Sequence, residues 1–188
     1  WAQSRKLEVV SKVNWSGPTF NVKNYGAKGD GVTDDFSAIS AAINAAASKP
    51  FSTVYFPAGT YAVAGRLPMA YKSKIRYMGA GMDQTTITLH PNHVSSASPT
   101  FLIYNCSNNS EYRDMTLQAN QYGGDNIFFI RGQHHVKCEN VRFTQLKSPS
   151  TEIITGVVDI HQTSHVSFKN CEFILTGRLF FGDAAQAI

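Results

Sequence analysis

Four segments, Thr86-Ile-Thr-Leu89, Asp114-Met-Thr-Leu117, Asn140-Val-Arg-Phe143 and Asn170-Cys-Glu-Phe173, repeat one order: a small or polar residue, an apolar one, a polar one, an apolar one. They follow one another at spacings of 28, 26 and 30 residues. A second apolar series, Phe101-Leu-Ile-Tyr104, Ile127-Phe-Phe-Ile130 and Val157-Val-Asp-Ile160, runs beside the first at spacings of 26 and 30. Two apolar series sharing one period are the signature of a solenoid whose coils stack their inward side chains. The unit holds short strands broken by Gly, Pro, Asn and Ser, with no second helix, so a β-solenoid fits better than a helical repeat. Residues 53–181 are therefore predicted to be mostly short parallel strands, with Ile87, Met115, Val141 and Cys171 stacked in consecutive coils.

Upstream of the repeat the pattern differs. Residues 1–18 read as a polar tail or linker closed by Gly17-Pro18, and residues 19–188 as the solenoid. Phe20-Asn-Val22 is a short strand leading into the glycine-rich turn Tyr25-Gly-Ala-Lys-Gly-Asp-Gly31. Phe36, Ile39, Ile43 and Ala46 then recur at helical spacing, which predicts one amphipathic helix over about 34–48. Thr33 or Asp34 is placed to cap it. Thr53-Val-Tyr-Phe56 and Thr60-Tyr-Ala-Val63 flank the turn Pro57-Ala-Gly59. The helix is positioned to cover the first open strand edge, a template for unwanted pairing. No comparable cover is read after Phe181, so further coils of a longer chain, or a homo-oligomer partner, are expected at that end.

Composition narrows the functional classes. Hydrophobic residues make up 43% and charged residues 16% of the 188, a balance that argues for a packed core rather than disorder. The net charge is +4, half of it from Arg5, Lys6 and Lys12 against Glu8, too thin and scattered for a nucleic-acid footprint. No run approaches the ~18 apolar residues of a membrane span. Cys106, Cys138 and Cys171 show neither metal-ligand nor CxxC spacing and are read as free thiols, with no metal site and no legible cofactor. The glycines 26, 29 and 31 lack the Lys-Ser or Lys-Thr of a phosphate loop, so this cluster is read as a turn.

Residues 20–35, the Ala-rich helix, and Val54-Tyr-Phe-Pro-Ala-Gly-Thr-Tyr61 resemble the pectate-lyase-like superfamily. Ile75-Arg-Tyr-Met-Gly-Ala-Gly81 and Thr85-Thr-Ile-Thr-Leu89 continue the likeness. The resemblance implies an all-β, right-handed parallel β-helix with an N-terminal cap helix, of which this chain would be the N-terminal part. The superfamily includes polygalacturonases, polysaccharide lyases, alginate epimerases and phage tailspike or appendage proteins. It implies a polysaccharide partner and an extracellular or virion-associated setting. The matching motifs are architectural and do not choose an activity.

Candidate chemistry comes from the second series. Setting Leu102, Tyr104, Phe128, Ile130, Val158 and Ile160 inward turns Ile103, Asn105, Phe129, Arg131, Asp159 and His161 outward. Asp159, His161 and Arg131 then form one candidate catalytic patch, with Asn105 and Phe129 as substrate-binding candidates. A guanidinium can hold a uronate carboxylate while an imidazole and a carboxyl move a proton beside it. A surface ion pair next to a histidine is the plainer reading of the same residues. Tyr104, Tyr112 and Tyr122 are sugar-stacking or packing residues, and Asp114 aligns with Asn140 and Asn170 as a stacked polar column. Two classes stay open: the N-terminal part of a polysaccharide lyase, glycoside hydrolase or epimerase, inactive as a segment by itself, or a non-catalytic glycan-binding shaft.

Overall fold

The computed structural model describes residues 13–69, 72–91, 101–105, 109–119, 126–131, 135–145, 158–161, 166–174 and 180–181. For 101–105, 119, 126–131, 145, 158–161 and 180–181 it describes the backbone alone. Cys106 and Tyr122 lie outside the described residues.

The chain is a right-handed parallel β-helix, with every strand pairing parallel to its neighbours one turn away. The first face stacks β1 (Thr19–Asn21), β3 (Ser52–Phe56), β5 (Ile75–Gly79), the first half of β8 (Ser110–Ala119), the first half of β10 (Val136–Gln145) and β12 (Val166–Lys169). The second stacks β2 (Asp30–Asp34), β4 (Gly59–Val63), β6 (Thr85–Leu89), the second halves of β8 and β10, and β13 (Glu172–Ile174). The third is a separate four-stranded sheet of β7 (Phe101–Asn105), β9 (Asn126–Arg131), β11 (Val158–His161) and β14 (Phe180–Phe181).

Side-chain alternation builds the core. Tyr61, Ile87, Leu117, Phe143 and Phe173 follow one another in register along the second face, the first four fully buried. Phe143 and Phe173 stack with ring centroids 5.1 Å apart. On the first face Tyr77 and Tyr112 are in register, fully buried and stacked at 5.0 Å. Tyr112 is thus a core residue, and its hydroxyl reaches Met69 Sδ rather than a sugar.

One part of the expected stack shifts. Met115 pairs with Val141 as the repeat predicts, but Ile87 pairs with Leu117, not Met115. The cause is local: residues 80–84 form a loop between β5 and β6, whereas in β8 the same corner is the single residue Asp114. Motif spacing alone does not reveal how many residues a corner absorbs. In its place Thr85 holds the corner, accepting from Ala80 N and donating to Phe56 O.

The helix α1 (Phe36–Ala47) buries Ile39, Ala42, Ile43 and Ala46 at i, i+3, i+4 and i+7 against β1 and β3. The N-cap position is Asp35, which makes no side-chain cap bond; the Asp34 expected to cap instead forms an Asx turn just ahead of the helix, its Oδ1 accepting from Phe36 N. The glycine-rich turn is held by Asp35, only 1% exposed, whose carboxylate accepts from Lys28 N at 2.7 Å and Gly29 N at 2.9 Å. Gly29 has φ +66°, and a Cβ there would stand 3.0 Å from the Tyr61 ring. The turn is structural, as its sequence predicts. Burial, with help from the nearby Asp35 charge, pushes the Tyr61 hydroxyl up to about 12, and that hydroxyl donates to Pro57 O.

Candidate functional site

The exterior of the first face is an ion lattice produced by strand alternation. Arg76, Glu111 and Lys137 occupy one register column; Met78, Arg113, Glu139 and Lys169 occupy the next. Arg113 pairs with Asp114 at 2.6 Å and Glu111 at 3.7 Å; Lys137 bridges Glu111 and Glu139; Lys169 reaches Glu139 at 3.0 Å. The hydrogen bonds from Lys137 and then Lys169 hold the Glu139 carboxyl down at about 2. On the second face Arg142 links Asp83 and Glu172 across the stack. Arg113, Lys137, Arg142 and Lys169 already have their anions, so this part of the lattice reads as a scaffold.

The catalytic candidates stand on the third face. Backbone register sets Arg131 opposite His161, and Phe129 opposite Asp159, on adjacent strands about 4.8 Å apart. Residues two apart share one side of a strand, so Phe129, Arg131, Asp159 and His161 belong to one side of this sheet. Asp159 also stands opposite Phe180 in the following turn.

Asn105 does not join that row by register: it is opposite Ile130, and Tyr104 is opposite Phe129. The β7-to-β9 spacing is thus 25 rather than the aligned 26, and one residue of slip exchanges the two sides of a strand. The sequence could not fix this phase because Phe101-Leu-Ile-Tyr104 and Ile127-Phe-Phe-Ile130 are apolar at successive positions. Tyr104 and Phe180 therefore enter the row of register positions around Asp159.

Among the described residues no group of three or more His, Cys, Asp or Glu is placed to hold a metal ion. Cys138 and Cys171 are free thiols, and burial pushes both upward. No helix among the described residues is long and apolar enough to cross a membrane.

A three-faced parallel β-helix with a helix over its first edge and ionisable residues in register on one sheet defines a pectate-lyase-like protein. The chain belongs to the family described as rhamnogalacturonase A/epimerase, pectate lyase-like, whose model matches residues 19–181. It is 48% identical over 75 residues to mannuronan C5-epimerase AlgE2 of Azotobacter vinelandii, covering 37% of this chain and 8% of that protein. It is 38% identical over 109 residues to alginate lyase 7 of the same organism, covering 54% of this chain and 13% of that one. The solved A-module of mannuronan C-5 epimerase AlgE6 from A. vinelandii superposes with a TM-score of 0.60 at 26% identity, over 82% of this chain and 44% of the module. The chain thus spans a minor part of each of these relatives.

Proposed function

We propose that this chain is the N-terminal part of a protein that processes an acidic polysaccharide, a uronan of the alginate kind, with its chemistry on the third face. The observation that carries this reading is the register that sets His161 opposite Arg131, two residues from Asp159. The similarity to an epimerase and a lyase, both named for uronan chemistry, supports the choice of substrate class.

The chemistry follows from the residue types. A uronate carries its C5 proton next to a carboxylate, and a guanidinium on that carboxylate stabilises the negative charge that grows when the proton leaves. His161 and Asp159 supply groups able to take that proton and return one. Returning it to the opposite face inverts C5. If instead the C4–O bond breaks, its electron pair leaves with the glycosidic oxygen and the former C5–H pair becomes the C4=C5 double bond. Hydrolysis would need a second carboxylate facing Asp159. The protein acts outside the cell or on a virion in this reading.

The test is an Asp159→Asn variant of the full-length protein, assayed on polymannuronate by C5 inversion and by double-bond absorbance. Loss of turnover with an unchanged circular-dichroism spectrum is expected. Full activity would remove Asp159 from the chemistry. Binding of the glycan by the parent protein with neither product formed would instead mark a non-catalytic glycan-binding shaft.

A further inference from the structure

The residue that precedes each of β3, β5, β8 and β10 takes the left-handed conformation: Phe51 at φ +59°, Lys74 at +61°, Asn109 at +56° and His135 at +65°. Asn and Gly adopt it easily, whereas a bulky aromatic there is a strained outlier. The first corner carries Phe51 even so, and its backbone is held on both sides. Phe51 N donates to Lys74 O at 2.8 Å, and Gly17 N donates to Phe51 O at 3.1 Å. A Cβ on Gly17 would fall 2.8 Å from the Phe51 carbonyl, so only glycine permits this approach.

This backbone assembles a cluster that the core does not require. The rings of Phe51 and Trp15, both partly buried, meet edge to face with centroids 6.3 Å apart. Lys74 Nζ lies 5.3 Å from the Phe51 centroid, and the Arg76 guanidinium 5.5 Å from that of Trp15. Charge pairing separates these two cations from the rest of the lattice. Arg113, Lys137, Arg142 and Lys169 each sit against a carboxylate. Among the described residues Lys74 and Arg76 have none. Arg76 Nε donates to Thr53 Oγ1 at 3.2 Å, and partial burial lowers the pKa of this guanidinium. A partly buried guanidinium that feels the Glu111 and Asp114 charges without closing an ion pair on either, beside an exposed ammonium and two aromatic rings, is half of a recognition site.

We propose that Trp15, Phe51, Lys74 and Arg76 form a second glycan site, on the first face, that binds one uronate residue of an anionic polysaccharide. The sugar's C–H face packs on the aromatic rings, and its carboxylate takes Lys74 and the outer nitrogens of Arg76. The choice of a uronate rests on the function proposed above; the site itself rests on the unpaired cations and the strained corner. It would hold the polymer at the N-terminal end of the β-helix, on a different sheet from Asp159, and raise the local concentration of chain at the third face.

The experiment uses the full chain with Trp1→Phe, which leaves Trp15 as the one tryptophan of the two in the sequence. Oligomannuronate should change Trp15 emission saturably, with an affinity that falls on adding salt. Arg76→Gln and Lys74→Gln should each weaken this binding about tenfold or more, as loss of a charge-assisted contact does. Lys74 is exposed, so its variant leaves folding untouched, and circular dichroism checks Arg76→Gln. Asp159→Asn should leave the Trp15 signal intact, which separates this site from the third-face reading. Calorimetric binding with unmoved Trp15 emission and full affinity in Arg76→Gln would overturn the second site while leaving the third face standing. A neutral oligosaccharide that moves Trp15 emission equally would overturn the uronate assignment, and absence of any binding would overturn the site.

Discussion

The side-chain amide of Asn140 donates to Asp114 Oδ1 at 2.9 Å, joining the same corner in two successive turns. Both residues have left-handed backbones, at φ +54° and +56°, and Asn170 continues the column at +52°. Asp and Asn tolerate this conformation better than other residues with a side chain, because a short polar group can bond locally. The polar column expected from the repeat is therefore a set of corner residues that bends β8 and β10 from the first face to the second.

Asn140→Ala should lose both the bond to Asp114 and the residue's ease in a left-handed corner, destabilising the chain by about 1–3 kcal/mol. Asn140→Gly should cost less, since glycine restores the backbone freedom but not the bond. Urea denaturation of the two variants checks the order. Equal losses would show that the hydrogen bond, not the conformation, sets the cost.

Val141 is fully buried, in register with Met115 and one residue past the Asn140 corner. Val141→Asp would place a carboxylate among Met115, Phe143 and Cys138 with no partner, at a cost of several kcal/mol. Thermal melting should drop sharply or the variant should fail to fold. A melt like that of the parent would contradict the inward register of β10.

Glu139 gives a pH signature. Its carboxyl is held at about 2 by Lys137 first and Lys169 second, against an ordinary 4.5. A depressed carboxylate contributes stability that is fully present above its unfolded value and is lost as pH falls through the folded one. Stability should therefore decline from about pH 4.5 toward pH 2. Glu139→Gln should flatten part of that decline and lower stability at neutral pH, measured as denaturation midpoints across that window. An unchanged slope would mean that Lys137 and Lys169 give Glu139 nothing in solution.

How much of this was legible in the sequence depends on whether each strand is apolar on one side or on both. Met115–Val141 and Leu117–Phe143 were readable because polar residues alternate with them, which fixes the phase. Ile87 was misplaced by two because the loop at 80–84 collapses to Asp114 one turn later. The register row of Phe129, Arg131, Asp159 and His161 was readable because Arg131 and His161 each directly follow their aligned segments, Ile127-Phe-Phe-Ile130 and Val157-Val-Asp-Ile160. Asn105 was not, because the apolar runs before it carry no alternation. The cluster around Phe51 left no sequence signal: Trp15 and Gly17 lie in a stretch that reads as a tail, and a left-handed phenylalanine cannot be inferred from composition.

The last prediction separates a carboxylate-binding Arg131 from a merely structural one. If Arg131 holds the uronate carboxylate, its fork should discriminate the free acid from its neutral methyl ester. Arg131→Gln in the full-length protein should weaken binding of polymannuronate by roughly 10–100-fold, the size of a lost charged hydrogen bond. The same variant should leave the already weak binding of the methyl ester unchanged, so the preference for the acid collapses. Arg131→Lys keeps the charge but not the planar fork, and should retain part of that preference. Affinities for the acid and the ester, measured side by side by calorimetry at one salt concentration, decide the matter. Equal losses on both glycans would mean that Arg131 supports the β9 strand and does not read the carboxylate.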